Sequence, residues 1–98
     1  MELVLLLSAD RDIQTAYNLY EDWQEGRGTI FMQHLDVAFE QLRRFPEIGP
    51  LFRGRYRRLL VPRFPYGIFY TIEPTRILVS GVLDLRQDPK AILRRFGG

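Results

Sequence analysis

The sequence predicts an α+β fold of order β-α-α-β-β-β, with a helical hairpin packed on a small antiparallel-rich sheet and a short C-terminal helix. Three observations support this prediction. An apolar pentapeptide opens the chain, two stretches with apolar residues three and four apart follow, and three apolar segments bounded by turn residues complete it. The length of 98 residues predicts a single domain, residues 1–98, without room for a second core.

The first strand and the first helix are predicted from the opening of the chain. Leu3 to Leu7 is continuously apolar, which is typical of a short strand buried on both faces. Ser8 then suits a helix N-cap, and the aspartates that follow it suit a first helical turn. This helix is predicted to run to about Glu25, and its apolar face comprises Ile13, Ala16, Tyr17, Tyr20 and Trp23.

A second helix follows after a tight turn at Gly26 and Gly28. It is predicted from about Thr29 to Arg44, and Pro46 ends it and opens a loop. Its apolar stripe consists of Phe31, Leu35, Ala38, Leu42 and Phe45, with Phe39 beside it.

Three antiparallel strands and a short helix are predicted for the remainder of the chain. The strands are Tyr56–Val61, Tyr66–Ile72 and Arg76–Leu83, with a tight turn between the last two. Asp88 and Pro89 are predicted to start the C-terminal helix as N-cap and first helical residue.

Composition excludes several classes of function. The chain has no cysteine, so disulfides, zinc-thiolate sites and cysteine nucleophiles are absent. No motif for a metal or a cofactor is found, and we expect neither. The apolar run Leu3 to Leu7 is too short for a secretory signal or a membrane span, so we expect a cytoplasmic protein without a membrane partner.

Charge is unevenly distributed along the chain. Five arginines and no acidic residue lie between Ile48 and Ile72, although the net charge is only +2. These arginines are Arg53, Arg55, Arg57, Arg58 and Arg63. Positive charge gathered at one end of the sheet favours an acidic or polyanionic partner. The alternative is a solvated strand whose charges prevent edge-to-edge pairing.

Few residues here suit catalysis. Arg57 and Arg58 are predicted on opposite faces of their strand, and Tyr66 is the aromatic residue most suited to face outward. The neighbouring aromatic residues and the single histidine, His34, are predicted as core and surface residues, respectively. Acidic residues near Arg86 suit an ion pair or a helix cap. The residues therefore favour a binding protein over an enzyme.

Four segments support a family resemblance over nearly the whole chain. They are AYNLYEDWQEGRGTIF, LRRFPEIGP, YRRLLVPRFPYGIFYTI and ILVSGVLDLRQDP. In their order and spacing they resemble RelE/ParE superfamily toxins of bacterial type II toxin–antitoxin systems. The FPY segment and the RQDP ending are more similar to the ParE/plasmid-stabilisation branch. The resemblance implies the same β-α-α-β-β-β fold.

The resemblance also implies a function. A ParE-like toxin would inhibit growth by binding DNA gyrase, would be neutralised by a cognate antitoxin, and would reach operator DNA only through that antitoxin. A RelE-like toxin would instead cut mRNA on the ribosome. A third alternative is a diverged, inactive partner that only binds the antitoxin.

Site residues are carried over by matching positions. Arg57, Arg58 and Arg86 match basic positions around the family's sheet, and Arg63 and Tyr66 match its RFPY stretch. Together with Arg53 and Arg55 they form the expected target- or antitoxin-binding set. In a nuclease, Arg57, Arg58, Arg86 and Tyr66 would be the catalytic candidates. Asp84 stands where this branch often has a histidine, which weakens the nuclease alternative.

Overall fold

The computed structural model describes residues 1–97, and residue 98 of the predicted domain lies outside this range. The strands are β1 (Glu2–Leu5), β2 (Leu51–Arg53), β3 (Tyr56–Leu60), β4 (Tyr66–Ile72) and β5 (Arg76–Asp84). The helices are α1 (Leu7–Trp23), α2 (Arg27–Arg44) and α3 (Pro89–Arg94), with a 3₁₀ turn at Pro46–Ile48. The predicted α+β fold with a C-terminal helix is confirmed. Strand β2 was not predicted.

The five strands form one sheet in the order β1-β5-β4-β3-β2. Strand β1 is parallel to β5, with Leu3 opposite Ile77, and all other pairs are antiparallel. Strand β4 therefore lies at the centre, and β1 and β2 are the two edges. This arrangement brings the end of β3, the start of β4 and the end of β5 to the same end of the sheet.

The helical hairpin packs on one face of the sheet and encloses the main core. Phe31, Leu35, Ala38 and Leu42 of α2 are fully buried there, and Ile68 and Tyr70 of β4 meet them from the sheet. The predicted stripe of α2 is thus confirmed except at its last residue, because Phe45 is 63% exposed after the helix ends.

The second face of the sheet carries a smaller core beneath α3. Phe96 stacks on Phe69 with ring centroids 4.7 Å apart, and Leu83 and Ile92 are buried beside them. The predicted start of α3 is confirmed: Asp88 accepts the N–H of Lys90 at 2.9 Å. Strand β4 is consequently buried from both sides.

The tight turn between α1 and α2 depends on a side chain that the sequence analysis did not single out. Gly26 has a φ of 88°, and the carboxylate of Glu21 accepts the N–H groups of Gly26 and Gly28 at 3.2 and 2.9 Å. A Cβ on Gly28 would lie 2.7 Å from Glu21 Cγ and 2.8 Å from Tyr17 Cδ2. Glycine at this position lets the two helices approach closely.

Three expectations for the N-terminal region are wrong. Strand β1 is not buried on both faces, because it forms an edge and its residues are half-buried or exposed. Ser8 is not an N-cap; it lies inside α1, and its hydroxyl donates to the carbonyl of Ser80 at 2.8 Å. Trp23, predicted on the apolar face, is 68% exposed at the end of α1.

Candidate functional site

The predicted arginine set is divided between the two ends of the sheet. Arg53 and Arg55 lie at the β2–β3 hairpin, whereas Arg63 lies in the β3–β4 turn and Arg86 follows β5 at the opposite end. The expectation of one positively charged end is therefore wrong. The physical reason is that β3 carries the chain from one end of the sheet to the other between these turns.

Arg57 faces the helical side of the sheet, where it supports a loop. Its guanidinium donates to the carbonyl oxygens of Gly49 at 2.9 Å and Glu47 at 3.4 Å. The buried hydroxyl of Tyr70 fixes the same loop, since it accepts the N–H of Gly49 and donates to the carbonyl of Pro46. Part of the hydrogen-bonding capacity of the Arg57 guanidinium is thus engaged within the fold.

Arg58 faces the other side of β3, as the strand alternation predicts. Its guanidinium carbon lies 5.2 Å from the ring centroid of Phe52, within the range of a cation–π contact. Arg53 and Arg55 are exposed nearby, and Leu60 is 57% exposed on the same strand as Arg58. We call Arg53, Arg55, Arg58 and Leu60 the strand-edge surface.

Tyr66 is not outward-facing, so that expectation is wrong. Its side chain is only 5% exposed and packs against Phe31 with ring centroids 5.1 Å apart. Burial raises the pKa of Tyr66 to about 12, and the neighbouring Tyr20 and Asp84 add to the increase. A phenol in this environment stays protonated near neutral pH and has no open ring face on which a base could stack.

Asp84 and Arg86 form the predicted local ion pair. Arg86 Nη2 lies 2.8 Å from Asp84 Oδ2, and Arg86 Nε and the backbone N–H donate to Oδ1 at 3.1 and 2.9 Å. These hydrogen bonds hold the pKa of Asp84 below its ordinary value, despite the opposing effect of partial burial. The carboxylate is therefore ionised and engaged near neutral pH.

A groove unites Arg63 and Arg86 with residues of the helical hairpin. It encloses about 420 Å³, with Phe64 and Pro65 among its apolar walls. The other lining residues are Leu19, Tyr20, Trp23, Arg27, Arg63 and Arg86, and we call this site the arginine groove. Sequence reasoning missed Leu19, Trp23 and Arg27 as site residues. Trp23 ends α1 and Arg27 begins α2 beyond a turn, so no helical spacing in the sequence pairs these two residues.

Trp23 and Arg27 form one wall of the arginine groove. The guanidinium carbon of Arg27 lies 5.0 Å from the ring centroid of Trp23. The Nε atom of Arg27 is shielded from solvent and has no hydrogen-bond partner within residues 1–97. A shielded donor without a partner costs about 1–3 kcal/mol.

Arg63 has an unusual backbone conformation. Its φ of 67° lies in the left-handed region, which costs about 1–2 kcal/mol for a residue other than glycine. Pro62 precedes it in the turn, and the N–H of Phe64 bonds weakly to the carbonyl of Val61 at 3.4 Å. A turn of this kind favours Gly or Asn at the position of Arg63. Strained backbone conformations of this type cluster at functional sites.

The remaining polar residues near these surfaces offer little chemistry. His34 is half-buried, with Nδ1 2.9 Å from the carbonyl of Ile30 and its ring 5.4 Å from that of Phe64. Residues 1–97 contain no group of three or more side chains able to hold a metal ion, and no helix among them is long and apolar enough to cross a bilayer. The arrangement can bind an anionic group beside an apolar one.

The fold defines a small α+β protein, and comparison with known proteins places it in a family. A family model described as the ParE toxin of the type II toxin–antitoxin system, parDE, matches residues 3–89. The chain belongs to this ParE toxin family, which confirms the resemblance to the RelE/ParE superfamily and its ParE branch.

A solved structure supports the fold. A chain described as the chromosomal ParDE TA system from P. aeruginosa superposes with a TM-score of 0.78 and covers 88% of this chain and 97% of that chain. The two sequences are 17% identical, so the likeness concerns the fold alone. A search of curated protein sequences gave no match.

Proposed function

We propose that this chain is a toxin that inhibits growth by binding DNA gyrase, and that a cognate antitoxin neutralises it. The observation that carries the proposal is the state of Tyr66 and Asp84. Tyr66 is buried and Asp84 is held ionised by Arg86, so neither is poised for proton transfer at the arginine positions. Arginine itself is a poor acid or base, and it serves better to bind anionic groups.

Five arginines supply the binding residues of this proposal. Arg53, Arg55 and Arg58 lie on the strand-edge surface, and Arg63 and Arg86 lie in the arginine groove. Arg57 and Tyr66 act indirectly, because the first supports the Pro46–Gly49 loop and the second is buried. Two separate basic surfaces allow a toxin to bind an antitoxin and a target with different residues.

An antitoxin partner follows from the family, whose systems pair a toxin with an antitoxin. The strand-edge surface combines three arginines with an exposed leucine, so it suits an acidic, amphipathic segment of that partner. Growth arrest on induction of the toxin alone and recovery on co-expression of the antitoxin are the expected results. Normal growth on induction alone would favour an inactive antitoxin-binding protein instead.

A supercoiling assay with purified gyrase tests the target. We expect micromolar toxin to inhibit supercoiling of relaxed plasmid, and we expect the antitoxin to restore it. Unchanged supercoiling over this range would contradict the proposal. In cells in which the toxin alone has been induced, primer extension on mRNA should show no new 5′ ends. Codon-phased cuts would identify the chain as a RelE-like endonuclease.

A further inference from the structure

We propose that the arginine groove is the site through which the toxin binds gyrase, and that it receives a protein segment with a carboxylate beside an apolar side chain. This inference rests on the proposed function and identifies its contact surface. The groove has the size of a typical ligand site, which is about 300–1,000 Å³. It lies at the opposite end of the sheet from Arg53 and Arg55 of the strand-edge surface.

The apolar part of the groove is exposed in the free chain. Trp23 is 68% and Leu19 is 56% exposed, and the two residues lie one helical turn apart on α1. Tryptophan and arginine are the residues that most often dominate binding energy at protein interfaces. An apolar side chain of a partner that covers Trp23 and Leu19 would therefore gain substantial binding energy.

The charged part of the groove is incompletely used by the fold. Arg63 forms no ion pair within residues 1–97, and Arg27 is stacked on Trp23 with its Nε unpaired. Only Arg86 has a carboxylate partner there, Asp84. A carboxylate from another protein would give the arginines of the groove a further acidic partner, since guanidinium groups bind carboxylates with paired hydrogen bonds.

The backbone of Arg63 gives independent support. Its φ of 67° would suit glycine better, yet the position holds a long charged side chain next to the groove. Glycine or asparagine would adopt this turn conformation with less strain. Arg63 therefore places a charged side chain beside the groove at a cost in local stability, a combination that is typical of contact residues.

A protein segment fits the groove better than a nucleic acid. Asp84 offsets part of the positive charge, and the exposed Asp22 and Glu25 lie near the end of α1. Carboxylates near the site repel a phosphate backbone, which binds through many basic contacts. A single carboxylate flanked by an apolar side chain matches both the limited positive charge of the arginine groove and its apolar walls.

Two groove variants and two matched controls test the inference. Trp23→Ala removes the exposed ring, and Phe45→Ala removes a ring of similar exposure, 63%, at the other end of the hairpin. Arg63→Gly removes the strained arginine, and Arg11→Gln removes an exposed charge on α1 outside the groove. Inhibition of supercoiling, affinity for the gyrase holoenzyme without DNA, affinities for duplex DNA and for the antitoxin, and Tm are measured for each variant.

We expect Trp23→Ala and Arg63→Gly to raise the toxin concentration for half-inhibition and the Kd for gyrase by about tenfold or more. The controls should leave both unchanged. Arg63→Gly should fold at least as stably as the original chain, because glycine relieves the left-handed strain. Loss of inhibition together with unchanged or higher Tm separates a contact role from a structural one.

Other outcomes overturn the inference in distinguishable ways. If the original chain inhibits gyrase and the groove variants inhibit it equally, the inference fails while the proposed function stands. If the variants lose affinity only for duplex DNA or only for the antitoxin, the groove has a different occupant. If the original chain does not inhibit gyrase at all, the proposed function fails together with the inference.

Discussion

Asp12 and Arg95 form an ion pair that links the first helix to the C-terminal segment, with Asp12 Oδ2 2.9 Å from Arg95 Nη2. The same carboxylate oxygen accepts the N–H of Val82 in β5 at 3.1 Å. A Cβ on Gly81 would lie 3.2 Å from both partners, so the pair passes directly over this glycine. One carboxylate therefore holds α1, β5 and the segment after α3 together.

Removing the two partners should have unequal effects on stability. We expect Asp12→Ala to lower the free energy of unfolding by about 1–3 kcal/mol, because the N–H of Val82 loses its acceptor in a partly buried site. Arg95→Met should cost less than about 1 kcal/mol, since the pair is partly exposed and the apolar stem is kept. Urea unfolding of both variants measures the difference. Equal losses would contradict a separate contribution from the bond to Val82.

The adjacent arginines of β3 should differ in role. Arg57→Met removes two hydrogen bonds to the carbonyls of Gly49 and Glu47, so we expect a loss of about 1–2 kcal/mol in stability. Arg58→Met should cost less than about 1 kcal/mol, because it loses only a cation–π contact with Phe52.

Antitoxin affinity should follow the reverse order, with a weaker complex for Arg58→Met. Calorimetric titration with the antitoxin checks this order, and urea unfolding checks the stabilities. A weaker complex for Arg57→Met at unchanged stability would show that Arg57 contacts the partner directly.

Close approach of the two helices should make Gly28 intolerant of a side chain. In Gly28→Ala, the new methyl group would overlap Tyr17 and Glu21 and displace the carboxylate that caps α2. We expect a net loss of about 1–3 kcal/mol, although alanine favours a helix by about 1 kcal/mol over glycine. Thr29→Ala is the matched control, because this exposed neighbour on α2 gains helix propensity without a new contact. Equal unfolding midpoints for both variants would refute the steric argument.

The elements that were predicted well from the sequence are those with a clear local pattern. The stripe of α2 and strand β4 were placed within a residue or two, since three-and-four spacing and continuous apolar runs identify them without any long-range information. Strand β2 (Leu51–Arg53) could not be found this way. It has three residues, and only its pairing with β3 makes it a strand.

The candidate site was less accessible to sequence reasoning. Tyr66 was expected outward because it starts a strand, but β4 is covered on both faces and its alternation no longer separates core from surface. The arginine groove joins α1, α2 and the β3–β4 turn, so its formation depends on how the hairpin lies on the sheet. Trp23 was assigned to the core because a helical stripe does not show where the neighbouring structure ends.

Burial of Tyr66 should make the free energy of unfolding depend on pH in the alkaline range. Burial raises the pKa of Tyr66 from 10.0 to about 12, so the folded chain keeps this proton at pH values at which the unfolded chain releases it. The stabilisation from this group is therefore complete below about pH 10 and is lost as the pH rises through about 12.

Tyr66→Phe keeps the packing of the ring and removes the titrating group, so the free energy of unfolding of this variant should decrease less steeply between these pH values. Urea unfolding at a series of alkaline pH values, with tyrosinate absorbance recorded in parallel, measures the slopes. Tyr20 and Tyr70 have raised pKa values as well, so a residual slope in the variant is expected, and only identical slopes in the two chains would count against a shifted Tyr66.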